Sequence, residues 1–397
     1  MNKMNLTFIV AHLKAGGQEM VAARMSHILK GDYNIRMMII DGRDMNYIID
    51  CEYKCMNIYP SSNPVMKVVN AIRRIIRAKK IKKEWRTDIC LSFGETCNYI
   101  NTFSRRKETV LLSIHNYRSI VSPKSLKKVW LNIVYKKAHG IICISKNIVE
   151  MAKDTFKKHI LKFKLLYNPY DRESISALKG EELSQYNYFF TNSRVIISVG
   201  THRCEKGYWH LVKAFSLAKA NFTDVKLFIM GPEQPGFVDK LNRLISGLGL
   251  SGEVALAGFD ENPFKYMSRS TMYVMSSITE GFPNVLLEAM ACGLPVISAD
   301  CKSGPREMLS DGDPFTIALD IEYQDYGLLV PPMTLEENYD PGIIEECERT
   351  LARAVELYLS DTVLAEDYAQ RAFTGANRFS YAVFRDCFIK IVEECNN

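Results

Sequence analysis

The sequence predicts an α/β protein made of two doubly wound, Rossmann-like domains facing a cleft. Three observations carry that expectation. The chain has 397 residues, more than a single hydrophobic core commonly serves, so two domains are the default. Short apolar runs alternate with longer segments of helical period along both halves. Strands alternating with helices imply parallel sheets covered on both faces.

In the first half, strand runs fall at 6–10, 35–40, 89–93, 110–114, 140–144 and 164–167, with helical patterns such as 19–29, 65–83 and 125–138 between them. In the second half, strands fall at 195–199, 226–230, 254–257, 272–275 and 295–298, with helices that include 209–220 and 238–247. The polar stretch 171–192, after Asn168-Pro169, reads as a linker between a domain over 1–170 and a second over 193–378. The remainder, 379–397, carries an amphipathic pattern at 381–394 and reads as a helix crossing back to the first domain. There is no short-period repeat and no low-complexity segment.

Composition narrows the class. Hydrophobic residues at 47% and charged residues at 24% are ordinary for a folded chain, which excludes long disorder. No apolar run approaches the ~20 residues of a membrane helix. The apolar run at 6–11 is too short for a secretion signal, and His12 and Lys14 follow at once. It reads as a first strand, and the protein is expected in the cytoplasm. The eleven cysteines are scattered, and Cys51 and Cys55, the one close pair, lack further ligands nearby, so free thiols are expected.

The net charge of +6 hides an asymmetry. Residues 1–170 carry 31 Lys and Arg against 12 Asp and Glu, a net +19, while residues 171–397 carry 20 against 33, a net −13. An evenly basic chain would suggest nucleic acid; one basic half suggests an anionic surface or acceptor. The segment 67–86 holds nine Lys and Arg and one Glu. Val65, Val68, Val69, Ile72, Ile75 and Ile76 recur at helical spacing and are expected in the core. The basic face opposite is either solvated or laid on anionic lipid.

Doubly wound sheets bind ligands beyond the carboxyl ends of their strands. Loops after strands are therefore the places for chemistry. After 272–275 comes Glu280-Gly-Phe-Pro-Asn284, then a short apolar helix stopped by Gly293 and Pro295. Pro283 suits a helix start, where free N–H groups favour an anion. Glu288 lies inside that helix; it either faces solvent beside a basic group or is buried and bonded to a ligand hydroxyl. After 195–199, Arg203 and Lys206 are placed to reach one diphosphate. After 6–10, Gly16 and Gly17 allow close backbone approach to a phosphate or sugar, although the dinucleotide fingerprint Gly-x-Gly-x-x-Gly is absent. That absence argues against a nicotinamide-dependent oxidoreductase. His115, with Asn116 beside it, follows 110–114; a lone histidine there is structural or faces the ligand. Asp311-Gly-Asp313 has a metal-binding look but follows no clear strand, and no metal is expected.

The pattern Glu280-x7-Glu288 followed by Ala-x-Ala-x-Gly-x-Pro-Val resembles the signature of the retaining GT-B transferases of glycosyltransferase family 4, and is similar to bacterial O-antigen and capsule transferases. The likeness spans most of the chain and is strongest over 195–309. It implies that Glu280 lies by the donor sugar, that Glu288 binds the ribose, and that Gly281, Phe282, Pro283 and Asn284 contact sugar or phosphates. It implies a leaving-group role for Lys206. Family members usually place an Arg directly after the loop Gly, where this chain has Thr201; Arg203 stands two residues on, as in some variants. It further implies that Gly16 and Gly17 approach the donor phosphate and acceptor, and that His115 lies near the transferred sugar. The expected reaction moves a hexose or N-acetylhexosamine from a UDP-sugar to a glycan acceptor, such as a polyprenyl-diphosphate oligosaccharide, with no cofactor and at the inner face of the plasma membrane. A sugar-nucleotide epimerase of the same fold and a non-catalytic membrane adaptor remain the alternatives.

Overall fold

The computed structural model describes residues 3–14, 16–43, 45–115, 120, 123–183, 185–234 and 236–396. The chain divides into two compact units: unit 1 holds Met1–Pro169 with Tyr381–Asn397, and unit 2 holds Tyr170–Ser380.

Unit 1 is built on β1 (Met4–Val10), β2 (Tyr33–Ile39), β3 (Glu52–Cys55), β4 (Ile89–Phe93), β5 (Thr109–Ile114), β6 (Gly140–Cys143) and β7 (Phe163–Leu165). They form one parallel sheet in the order β3-β2-β1-β4-β5-β6-β7. The chain runs outward from β1 to β3 and then returns to β4, so winding reverses between β1 and β4. Side chains of a strand alternate faces. Leu6, Phe8 and Val10 enter one core, and Ile9 enters the opposite core with Ala78, Ile81 and Cys97. The last helix, Tyr381–Asn396, completes the first of these cores with Phe384, Phe388, Ile391 and Val392. Arg385 on it pairs with Asp32 at 2.5 Å.

Unit 2 repeats the plan with β8 (Arg194–Val199), β9 (Val225–Met230), β10 (Val254–Ala257), β11 (Met272–Met275), β12 (Val296–Ala299), β13 (Glu322–Tyr323) and β14 (Leu328–Val330). The order is β10-β9-β8-β11-β12-β14-β13, parallel except for the edge strand β13. Here the winding reverses between β8 and β11. The strands at β3, β13 and β14 are not among those expected; β3 and β13 are edge strands whose charged residues leave no apolar run to read.

Two further expectations differ from the structure. The stretch 171–192 is not a bare linker, because it holds helices Arg172–Leu178 and Asn187–Phe190. Asp171 caps the first by accepting from the Ser174 N–H at 2.9 Å, and Asn262 Nδ2 donates to the Leu178 carbonyl. Phe189 and Phe190 lay their rings against Phe228, at 5.7 and 5.2 Å. Local capping and an aromatic run thus dock the segment onto unit 2.

The second concerns helix Pro64–Glu84. Its stripe of Val65, Val68, Val69, Ile72 and Ile76 is exposed, not in the core. The packed face lies about 180° away around the helix at about 100° per residue. It consists of Asn70, Arg74, Ala78, Ile81 and Lys82. Its polar members are satisfied: Asn70 Nδ2 donates to the Tyr59 carbonyl, and the Arg74 guanidinium to the Ile58 carbonyl. Lys82 Nζ donates to Asn101 and pairs with buried Glu108 at 2.8 Å. Three polar side chains on the packed face conceal it from a hydrophobicity reading.

No helix among the described residues is long and apolar enough to cross a membrane. The eleven cysteines are free.

Phe388 is fully buried, stacks on Phe384 and meets Tyr33 edge-on at 6.0 Å. Phe388→Ala should destabilise unit 1 by about 3–5 kcal/mol. Urea unfolding followed by far-UV circular dichroism measures this, and Phe388→Leu should lose less.

Candidate active site

β8 and β11 are neighbours in the sheet of unit 2, with Tyr273 beside Ile197, yet their chains leave in opposite directions. Their carboxyl ends open the kind of crevice in which doubly wound sheets bind ligands. The loop after β8 runs from Gly200 to a 3-10 turn, Cys204–Lys206, and ends at Gly207 with φ +59°. A Cβ on Gly207 would stand 2.4 Å from the Ser276 carbonyl in the loop after β11. Glycine is thus required both for the left-handed backbone and for the close approach. Two hydrogen bonds join the loops beside it: Ser276 Oγ donates to the Lys206 carbonyl at 3.0 Å, and the Ile278 N–H to the Glu205 carbonyl at 2.9 Å. Lys206 Nζ consequently meets Glu280 Oε1 at 2.6 Å, with side chains only 12% and 14% exposed.

The turn after Glu280 is braced by a third loop, the one after β12. Ser303, at φ +83°, donates its hydroxyl to the Gly281 carbonyl at 2.7 Å. Next to it, a Cβ on Gly304 (φ +96°) would collide with Pro283 Cδ at 2.5 Å. Phe282 is buried and meets Phe379 edge-on at 5.4 Å. Pro283 is the N-cap of helix Asn284–Cys292, which has no side-chain cap and ends at Gly293 with φ +82°. Such an N-terminus favours an anion. Glu288, on this helix, is buried and does not lie on a solvent face. Burial, with the Glu288 charge second, pushes the Cys292 thiol up to about 12.

Arg203 is set apart from the pair. Its side chain is half exposed, and its Nε lies 3.7 Å from Glu205. His202, the residue before it, is fully buried, edge-on to Tyr208 at 5.6 Å, and burial holds its pKa down to about 4.

In unit 1, Gly16 caps helix Gly17–Ile28, and its N–H and carbonyl both bond the Tyr47 hydroxyl. Gln18 on the first turn packs against Gly94, where a Cβ would lie 2.9 Å from its amide. Gln18, Gly94, Glu95, Tyr99 and His115 border one cavity of about 200 Å³. The helix start at Gly17 and the loop after β5 therefore meet around the same space. His115 Nε2 lies 2.9 Å from Ser113 Oγ, and burial lowers its pKa to about 4, so the ring is neutral near pH 7. Ala15 and Asn116 lie outside the described residues.

The carboxylates of Asp311-Gly-Asp313 are engaged within the protein. Asp311 binds Arg378 at 2.5 Å and the Tyr326 hydroxyl at 2.6 Å, and Asp313 accepts from the Phe315 N–H. Among the described residues, His210, Glu345 and Cys347 bring ligand atoms within 4.8 Å of one another. The ring nitrogens of His210, however, lie against Glu348 and the Thr334 carbonyl, and Glu345 caps helix Glu346–Ser360. Ser276, Ser303, Gly304 and Tyr208, whose hydroxyl donates to the Gly200 carbonyl at 3.0 Å, were not singled out from sequence. The Gly304-Pro305 dipeptide after a strand was the available signal.

Two outcomes follow from this geometry. Gly207→Ala should cost about 1–3 kcal/mol and separate Lys206 from Glu280, read as a lower unfolding temperature. His115 has a folded pKa of about 4 against an ordinary 6.5. The unfolded chain therefore takes up the proton first, so this contribution is complete above pH 6.5 and is lost as pH falls toward 4. Unfolding midpoints measured across that window should fall less steeply in His115→Gln.

The sequence pattern of the family Glycosyl transferases group 1 matches residues 180–327. An uncharacterized glycosyltransferase of Methanocaldococcus jannaschii is 30% identical over 338 residues, covering 80% of this chain and 81% of that protein. The N-acetylgalactosamine-N,N'-diacetylbacillosaminyl-diphospho-undecaprenol 4-alpha-N-acetylgalactosaminyltransferase of Campylobacter jejuni is 28% identical, covering 94% of this chain and 95% of its own. Among solved structures, Anabaena HepE in complex with UDP and glucose superposes with a TM-score of 0.74 at 16% identity, over 98% of this chain and 99% of that one. A glycosyltransferase from Rickettsia africae gives 0.77 at 18% identity, with both chains fully covered. The fold is GT-B, with two Rossmann-like units. On these grounds the chain belongs to the glycosyl transferases group 1.

Proposed function

We propose that the chain is a retaining, metal-independent transferase of glycosyltransferase family 4. It moves a hexose or N-acetylhexosamine from a UDP-sugar to a polyprenyl-diphosphate-linked oligosaccharide during surface polysaccharide synthesis, at the inner face of the plasma membrane. The observation that carries the reading is the Lys206–Glu280 pair at the reversal of winding in unit 2, beside a helix N-terminus that favours an anion. Support for the donor comes from neighbours of the same fold solved with UDP. Support for the acceptor comes from two Campylobacter jejuni relatives named for undecaprenol-linked acceptors, and support for the pathway from a lipopolysaccharide core transferase of Rhizobium meliloti.

In this reading the bond from the anomeric carbon to the UDP oxygen breaks, and the acceptor hydroxyl oxygen bonds to that carbon from the same face. The hydroxyl proton passes to a departing phosphate oxygen, giving the glycoside and UDP. Lys206 stabilises charge as it develops on the leaving diphosphate, and Arg203 adds a second cation. The N-terminus of helix Asn284–Cys292 and the backbone of Gly281, Phe282, Pro283 and Asn284 face the sugar and phosphates. Positive charge from these groups serves where other transferases use a metal. Glu280 fixes the Lys206 ammonium and contacts the sugar, and Glu288 accepts from the ribose hydroxyls. Gly16, Gly17 and neutral His115 are acceptor-side and sugar-positioning groups in unit 1.

Incubating radiolabelled UDP-sugars with a polyprenyl-diphosphate glycan should give an extended lipid-linked product that retains anomeric configuration. Lys206→Ala should lower kcat by about 10²–10³-fold, and the Lys206→Ala, Glu280→Ala double variant should be inactive. Full activity in the double variant would sink the assignment. An altered sugar nucleotide formed without acceptor would identify an epimerase instead.

A further inference from the structure

Helix Pro64–Glu84 turns a long apolar stripe to the outside. Val65, Val68, Ile72 and Ile76 are 69%, 61%, 53% and 63% exposed. A second helix of unit 1, Ser125–Lys137, does the same with Leu126, Val129, Trp130 and Ile133, spaced i, i+3, i+4, i+7. Leu126 is 80% exposed. Singly exposed apolar residues are ordinary; two exposed helical stripes are not.

The two helices flank helix Glu95–Phe103. Lys82 of the first bonds Asn101 on it, and Trp130 of the second meets Phe103 edge-on at 6.1 Å. Cations border both stripes. Arg73, Arg77 and Lys80 lie along one flank of the first, and Lys79 and Lys83 continue toward its end. Lys136 and Lys137 lie in the last turn of the second, beside its stripe, and Lys137 covers the Phe103 ring at 5.1 Å. Of the carboxylates in these three helices, Glu84 pairs with Lys54 and Glu95 with Lys127. An apolar stripe edged by Lys and Arg that have no acidic partner among the described residues is complementary to a surface that is apolar inside and anionic at its rim.

We propose that these two helices dock unit 1 on an anionic lipid bilayer. Their apolar stripes enter the interface, and the flanking cations take the lipid phosphates. This deepens the proposed placement at the membrane and rests on that reading for its purpose. It names a binding mode distinct from adhesion by charge alone. Trp130 is the type of side chain that settles at the headgroup boundary.

Tryptophan fluorescence tests this directly. The chain has three tryptophans, of which Trp85 and Trp209 are buried and Trp130 is half exposed. The full chain is mixed with phosphatidylcholine vesicles, with or without roughly one third phosphatidylglycerol. Trp130 emission should shift to the blue with the anionic vesicles. Bound protein should partly survive about 1 M salt, where the screening length falls to about 3 Å. Ile72→Asp with Ile76→Asp should lower vesicle binding by at least about tenfold and leave the thermal shift caused by UDP unchanged. Unshifted emission, complete release by salt, or a double variant that binds like wild type would each overturn the proposal. So would a concentration-dependent dimer that the variant abolishes, since the stripes would then cover each other. A wild-type chain that binds vesicles but shows no thermal shift with UDP would count against the transferase reading alone.

Discussion

The site in unit 2 depends on one backbone contact. The Ser276 carbonyl occupies the space where any side chain on residue 207 would begin. Gly207 allows the loop after β8 to lie directly on the loop after β11, and two hydrogen bonds then fix their register. Lys206 is adjacent to that contact, so its stem has little freedom in where it emerges. A buried cation must find a partner, and the partner within reach is Glu280. The third loop acts on the other side of the same turn, with Ser303 and Gly304 pressing on Gly281 and Pro283. A carboxylate, an ammonium and a helix N-terminus are thereby held by backbone packing and not by long, adaptable side chains. Preorganised charge of this kind needs no reorganisation when negative charge develops beside it.

Much of this was legible in the residues. The strands that bear the site are apolar runs ended by Gly or a polar turn, and their periods are clear. Lys206, Glu280 and Glu288 stand out because glycine and proline punctuate the chain around them. The partnership of Lys206 with Glu280 was not legible, since they are separated by 74 positions and meet only because β8 and β11 are adjacent in the sheet. Sequence order alone does not reveal which strands become neighbours where winding reverses. The same limit hid Ser303, whose function depends on a carbonyl 22 residues earlier. In unit 1 the position of His115 followed from the strand before it. Its neutral state follows from burial, which needs the neighbouring helices in place.

Helix Pro64–Glu84 shows why hydrophobic period is an incomplete guide. Its apolar stripe is regular, and the natural inference buries it. The chain instead packs Asn70, Arg74 and Lys82 because each finds acceptors that satisfy it. A buried polar group costs little once its hydrogen bonds are complete. The more apolar face is then left for another occupant. The charge asymmetry points the same way, since 12 of the 31 Lys and Arg of residues 1–170 lie on the two helices that also expose apolar stripes.

The same reasoning bears on Thr201, where the resembled family usually has Arg. His202 is buried in unit 2 and donates its backbone N–H to the Pro232 carbonyl, forming a parallel bridge with Glu233. Arg203 beyond it has extended backbone, at φ −146° and ψ 163°. In an extended segment, successive side chains point to opposite sides. With His202 inward, residues 201 and 203 both face outward. They are separated by about 7 Å along the chain, a distance that a long guanidinium side chain can span. An arginine at 203 can therefore return its charge toward the space that one at 201 would fill. Among the described residues its ion-pair partner is Glu205, at 3.7 Å. Lys206 has no such latitude, being set by Gly207 and Glu280. The loop thus combines one nearly buried cation held by the fold with one half-exposed cation.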